Sequence, residues 1–170
     1  MKSACNGRLR LMLVVGLALV TGGSVRAFLL AARNPAASHP ALDQGQKLIV
    51  EAQNQLSQGA TDFGGHRVNA INHLKQALEE IQAARSYYAA HPKPEPPQPV
   101  PALQETPPGS VKYPHLDSAR SLLVKAYDEL NRGNTDFGGH RVKAMGHVKD
   151  AIGEIDQARA YAQSHQPPKK

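Results

Sequence analysis

The chain has one cysteine and no tryptophan among its 170 residues. Cys5 lies ahead of the apolar run near the N-terminus, whereas the acylated cysteine of a lipoprotein would follow such a run. Removal of this N-terminal segment would leave a protein without disulfides or thiol chemistry. Such a composition is compatible with an oxidising compartment but does not require one.

Long hydrophobic runs are also scarce. The run LMLVVGLALV at residues 11–20 is too short to span a bilayer comfortably. It follows a basic segment without acidic residues and precedes small residues at Val25 and Ala27. This pattern is typical of a secretory signal peptide over residues 1–27, so we expect a periplasmic or secreted protein. The alternative is an uncleaved anchor continuing through AFLLAA, which Arg26 interrupts.

Cleavage of the signal peptide would remove most of the net positive charge. The formal net charge is +6, but the signal peptide holds four of the 20 basic residues and none of the 14 acidic ones. The remaining 16 basic and 14 acidic residues nearly balance. We therefore expect no nucleic-acid partner, and a membrane contact only through an uncleaved signal segment.

Recognisable catalytic motifs are absent from the sequence. No serine or cysteine lies in a known nucleophile setting, no glycine-rich phosphate loop precedes Lys-Ser/Thr, and the zinc-protease helix signature is missing. The sequence predicts no catalytic residues, and we expect a protein that is not an enzyme.

An internal duplication is the clearest positive feature. The octapeptide TDFGGHRV occurs at residues 61–68 and again at residues 135–142. Residues 39–91 align without a gap with residues 113–165, at a period of 74 residues, and 26 of the 53 aligned positions are identical. The chain therefore carries two copies of one structural unit.

Each copy has the pattern of two helices. Pro40 and Pro114 suit the first helical position, and apolar residues follow at helical spacing. After the octapeptide turn a longer arm begins, so each copy forms an αα-hairpin with arms of about 17 and about 25 residues. Because one hairpin cannot cover its own apolar stripe, we predict an all-α four-helix bundle, formed within the chain or by dimerisation.

Proline-rich and terminal segments flank the repeats. Residues 92–112 predict an extended linker, long enough to allow either relative orientation of the hairpins. We expect a flexible segment at residues 28–38 and a disordered tail at residues 166–170.

The repeated turn predicts a tight hairpin closure. Its residues are Thr61, Asp62, Phe63, Gly64 and Gly65 in the first copy, and Thr135, Asp136, Phe137, Gly138 and Gly139 in the second. Asp62 or Thr61 is expected to cap the second arm, with Phe63 covering the closed end and the glycines in the first helical turn. Glycine there indicates a close approach to the backbone by a helix or a ligand. The alternative is an anion site beside Arg67 or Arg141.

Two columns of possible metal ligands follow the turns, at intervals of seven residues: His66, His73 and Glu80 in the first copy, and His140, His147 and Glu154 in the second. Histidines seven apart lie about 10 Å apart along a helix and cannot share one ion. With both turns at the same end, the columns would face each other and form a transition-metal or haem site. Antiparallel hairpins are expected to keep the histidines apart. The alternative is that the histidines hydrogen-bond across the helix pair and specify packing.

The motif DFGGHR follows an arm that opens with HPALD or YPHLD and precedes an apolar helix with alanine and histidine. This combination resembles a helical-hairpin repeat of secreted, functionally uncharacterised bacterial proteins. The resemblance covers both repeats. It implies an exported bacterial helical protein and does not imply any particular activity.

These observations lead to two functional hypotheses. The first is a non-catalytic exported bundle with a structural or protein-interaction role, whose partner is a second copy or another exported protein. The alternative is a periplasmic bundle that binds a transition metal or haem through the repeated histidines. No cofactor is established by the sequence.

Overall fold

A computed structural model describes residues 39–59, 62–91, 96–101, 103 and 113–165. The predicted signal peptide, segment 28–38, tail 166–170 and much of the linker lie outside the described residues. All the described residues belong to one compact unit, Pro35–Lys170.

The described chain contains four α-helices: α1 (Pro40–Gln58), α2 (His66–Ala90), α3 (Pro114–Asn131) and α4 (His140–Ser164). Proline opens each shorter helix, with Asp43 or Asp117 in the first turn, where the helix dipole favours an acid. The helices of 19 and 25 residues in the first copy match those of 18 and 25 residues in the second. Both predicted αα-hairpins are confirmed.

The hairpins pack together as a four-helix bundle within one chain. Helix α1 packs against α3 and α2 packs against α4, so that equivalent helices pair across the duplication. Both pairs are antiparallel: His66 begins α2 and contacts Glu154 far along α4, and His115 near the start of α3 contacts Gln55 near the end of α1. The two closed turns therefore lie at opposite ends, which decides the orientation that the long linker left open.

The predicted apolar stripes form a single core. Most of their members are buried, whereas Ile71, Leu78 and Leu122 are partly buried at its edge. The α2–α4 pair is the most extensive interface in the bundle. It is rich in alanines that are fully buried on both helices: Ala70, Ala77 and Ala84 on α2, and Ala144, Ala151 and Ala158 on α4. Small side chains allow these two helices to approach closely.

The repeated turn departs from the expected capped helix start. Phe63, Gly64 and Gly65 have left-handed φ angles of 56°, 68° and 89°, and the second copy repeats them at 54°, 65° and 84°. Helices α2 and α4 start only after these residues, without a side-chain cap. The predicted cap by Asp62 is wrong, because three left-handed residues separate Asp62 from the first turn of α2. The other predicted cap, Thr61, lies outside the described residues.

Close approach explains one glycine of each turn. A Cβ atom on Gly64 would lie 2.7 Å from the ring of Tyr161, and one on Gly138 would lie 2.7 Å from the ring of Tyr87. Each closed end therefore packs against the far end of the opposite long helix. A Cβ on Gly65 would meet nothing within 4 Å, so glycine at this position is explained by the left-handed φ angle and not by close packing.

The arginines after the turns bind backbone carbonyls. Arg67 Nη1 donates to Leu56 O at 3.0 Å, and Arg141 Nη1 donates to Leu130 O at 3.4 Å. Each guanidinium thus satisfies a carbonyl at the C-terminal end of the preceding helix. This arrangement favours the packing interpretation of the turn over the anion site. Burial also lowers the pKa of the Arg141 guanidinium from its ordinary value.

None of the described helices combines the length and apolar content needed to cross a membrane.

Candidate metal centre

The predicted ligand columns meet across the antiparallel α2–α4 interface. His66 Nδ1 lies 2.8 Å from Glu154 Oε2, and His140 Nδ1 lies 2.7 Å from Glu80 Oε2. An ionised carboxylate only accepts hydrogen bonds, so Nδ1 carries the proton in both pairs. The two outer histidines are therefore bonded to carboxylates of the opposite repeat and not to each other.

The middle residues of the columns face each other. The rings of His73 and His147 stack with centroids 6.2 Å apart and an interplanar angle of 29°. Both rings are partly buried, and the Nδ1 atoms of both are buried without a hydrogen-bond partner among the described residues. This pair lies at the centre of the interface, between the two outer histidine–glutamate pairs.

A carboxylate completes this cluster. One ring nitrogen from each of His73 and His147 and one oxygen of Asp150 lie within 4.8 Å of one another. Asp150 is exposed, on the turn of α4 that follows His147. We call these three residues the central cluster.

The geometry of the central cluster is close to that of a bound ion. Ligand atoms at about 2.0–2.1 Å from a shared zinc ion lie at most about 4 Å from each other. The three atoms would therefore have to move closer together, by up to about 1 Å, to bind one ion. Three protein ligands would leave a further position for water or another ligand.

The symmetry of the bundle explains which expected pairs form. With the turns at opposite ends, His66 and His140 are held apart, and the expected contact between them does not form. However, in an antiparallel pair of equivalent helices, a residue near the middle of one helix lies opposite its repeat equivalent in the other. The expectation that antiparallel hairpins separate all the histidines therefore fails for His73 and His147.

The repetition of the sequence does not indicate Asp150. The equivalent residue of the first copy is Gln76, so the carboxylate is not duplicated. The available signal was local: His147 and Asp150 are three residues apart, which places them on one face of a helix.

No protein-family model, curated protein sequence or solved structure matches this chain.

Proposed function

We propose that the protein is an exported helical bundle that binds one divalent transition-metal ion between its long helices, with His73, His147 and Asp150 as ligands. The observation that carries this proposal is the convergence of three ligand atoms within 4.8 Å at the centre of the most extensive helix interface.

The unpartnered imidazole nitrogens support the proposal energetically. A neutral imidazole has one N–H donor and one lone pair, and a buried polar atom without a partner costs about 1–3 kcal/mol. Both His73 and His147 carry such an atom, in contrast to His66, whose Nδ1 is bonded to Glu154. An ion bound through the Nδ1 atoms of both rings would offset part of this cost.

The donor set favours some metals over others. Two imidazoles and one carboxylate suit zinc, copper, nickel or iron, whereas magnesium and calcium prefer oxygen ligands throughout. A single ion also suits the helix packing better than haem. A porphyrin would have to separate α2 and α4, whose facing alanines are fully buried.

The outer histidines have a supporting role in this proposal. His66 and His140 bond to Glu154 and Glu80 on either side of the central cluster, in the register that the packing of the two long helices sets. That register brings the central cluster together. Of the six ligands suggested by the sequence, only His73 and His147 are therefore proposed to bind the metal, with Asp150 added.

The interaction hypothesis receives less support from the fold itself. Large exposed hydrophobic side chains in the described chain are limited to Val50, Val68 and Tyr161. A bundle that covers its own apolar stripes does not need a second copy for stability.

The test is calorimetric titration of the chelator-stripped full chain with Zn²⁺, Cu²⁺ and Ni²⁺ separately. We expect one ion per chain for at least one metal, with binding lost in His147→Ala and weakened in Asp150→Gln, which copies the residue of the first repeat. Binding should weaken at acidic pH, because protons compete for the imidazoles. His66→Ala is the matched control, since it removes a histidine of the same column outside the cluster.

A gain of affinity provides the complementary test. Gln76→Asp would place a second carboxylate at the position related by the repeat, and we expect tighter binding in this variant. Retention of full affinity in His147→Ala, or equal loss in His66→Ala, would contradict the proposed site.

A further inference from the structure

The described part of the proline-rich linker lies against the second hairpin. Arg141 Nη2 donates to Gln98 O at 2.6 Å, and the Tyr127 hydroxyl donates to Pro101 O. Val100 and Leu103 pack against the hydrophobic core. The second hairpin thus binds two backbone carbonyls of this segment, and two of the segment's apolar side chains pack against the core.

Proline suits this mode of binding. A proline-rich segment is already extended, so little conformational entropy is lost when it docks, and its carbonyls have no internal partners. The donors that meet those carbonyls come from α3 and α4 of the second hairpin.

The first hairpin has the equivalent surface, on which two valines are exposed. We define the hairpin 1 groove as Val50, Gln53, Arg67, Val68 and Ile71, the repeat equivalents of Val124, Tyr127, Arg141, Val142 and Met145. On the second hairpin, Tyr127, Arg141 and Met145 are at most 3% exposed. In the hairpin 1 groove, Val50 is 40% and Val68 46% exposed, whereas their equivalents Val124 and Val142 are partly buried.

The key donor of the hairpin 1 groove is already in position. Arg67 Nη1 bonds to Leu56 O just as Arg141 Nη1 bonds to Leu130 O, so the two guanidiniums are held alike. The second nitrogen of Arg141 binds the linker, whereas Arg67 Nη2 has no acceptor among the described residues.

We propose that the hairpin 1 groove binds an extended proline-rich peptide of a partner protein, in the way that the second hairpin binds residues 96–101 and Leu103 of its own chain. The duplicated unit is then a peptide-docking module, with one copy occupied by the linker and one open. This proposal does not depend on metal binding.

One substitution makes the open groove weaker than the occupied one. Gln53 stands where Tyr127 contributes both a hydroxyl donor and a buried ring. Gln53→Tyr restores both groups. We expect it to tighten peptide binding about tenfold, the value of one buried hydrogen bond with its apolar contact.

The probe is a fluorescent peptide with the sequence of residues 96–103, PPQPVPAL, titrated with the full chain and followed by anisotropy. We expect weak saturable binding that is tighter in Gln53→Tyr and at least tenfold weaker in Val68→Asp. The control is Gln82→Asp, which adds the same charge to the same helix about 21 Å away. Asp156 already occupies that position in the second repeat.

Three results would overturn the proposal. The first is no binding to either the native chain or Gln53→Tyr. The second is equal weakening by Val68→Asp and Gln82→Asp. The third is a concentration-dependent dimer that excess peptide does not dissociate, since a second copy would then occupy the groove. Amide chemical shifts measured during the titration would locate the binding site. The peptide should perturb the amides of Val50 and Val68 and leave that of Val124 unchanged.

Discussion

The two hairpins share one backbone and differ in their surroundings. Their turns have matching left-handed angles, and each long helix has 25 residues. Yet Arg141 is 1% exposed, whereas Arg67 is only partly buried, and Met145 is buried where Ile71 is partly exposed. The described part of the linker lies on the second hairpin, whereas Val50 and Val68 on the equivalent surface of the first are exposed. The identical octapeptide therefore determines the backbone conformation of each turn, whereas the linker packed on the second hairpin determines how far the side chains of that hairpin are buried.

The largest effect is expected where the two hairpins are most alike. Gly64→Ala and Gly138→Ala should each lower the free energy of unfolding by about 3 kcal/mol. A left-handed non-glycine residue costs about 1–2 kcal/mol, and overpacking against a tyrosine ring adds about 1–3 kcal/mol. Chemical denaturation of both variants measures these losses, which should be equal because both contacts are 2.7 Å.

A glycine outside the turns provides the control for that prediction. Gly146 lies inside α4, and a Cβ atom there would meet nothing within 4 Å. Gly146→Ala should therefore raise the free energy of unfolding by about 1 kcal/mol through helix propensity. A loss in Gly64→Ala smaller than that in Gly65→Ala would refute the tyrosine contact, because Gly65 has only the backbone cost.

The arginines after the turns should reveal the difference between the hairpins. Arg141→Met is expected to cost about 2–3 kcal/mol, because it removes two hydrogen bonds, to Leu130 O and Gln98 O, from a guanidinium that is only 1% exposed. Arg67→Met removes one such hydrogen bond at a more exposed site and should cost about 1 kcal/mol. Thermal and urea denaturation of both variants would measure this difference. Equal costs would mean that the linker does not cover the second hairpin in solution.

The helices, the hairpins and the core were predictable because they depend on local chemistry. Pro40 and Pro114 mark helix starts, and the apolar period marks the buried face without reference to the rest of the chain. The antiparallel arrangement was not predictable, since the linker is long enough for either orientation and the stripes of the two repeats complement each other both ways. The turn was recognised, but its left-handed geometry at Phe63 was not, because a capping residue and a glycine pair also fit an ordinary helix start.

The candidate site was predictable only in part. Histidine spacing identified His73 and His147, yet their contact depends on the register of two helices, which the sequence does not state. Asp150 stayed hidden because its repeat equivalent is Gln76. Tyr127 in place of Gln53 was a readable sign that one hairpin binds something that the other does not.

Tyr127 gives a smaller prediction with a pH signature. Tyr127→Phe should cost about 1 kcal/mol near neutral pH, by removing the donor to Pro101 O. Burial, with a further contribution from Asp128, raises the pKa of Tyr127 above its ordinary value. The unfolded chain therefore loses this proton first, and the stability that Tyr127 contributes is complete below about pH 10 and declines above it.

Urea denaturation at pH 8 and at pH 11 would measure that decline as the difference between the native chain and Tyr127→Phe, in which the other tyrosines cancel. The difference should shrink at pH 11. A difference that grows with pH would contradict the burial of a neutral hydroxyl against the linker.

The smallest effects are expected at the outer histidine–glutamate pairs, where the two halves of the bundle should again behave alike. Glu80→Gln and Glu154→Gln should each cost about 0.5–1 kcal/mol, as partly exposed ion pairs usually do. The side chains involved are 18–26% exposed in both pairs. Chemical denaturation of the single and double variants would test this, and the costs should be additive because the pairs lie at separate positions along the interface. Glu154 also accepts a hydrogen bond from Asn69 Nδ2 at 3.4 Å, so its substitution should cost slightly more. A larger cost for Glu80→Gln than for Glu154→Gln would mean that the two-fold register is imperfect at one end. The distances within the central cluster would then differ from the symmetric arrangement, because that register is what brings His73 to His147.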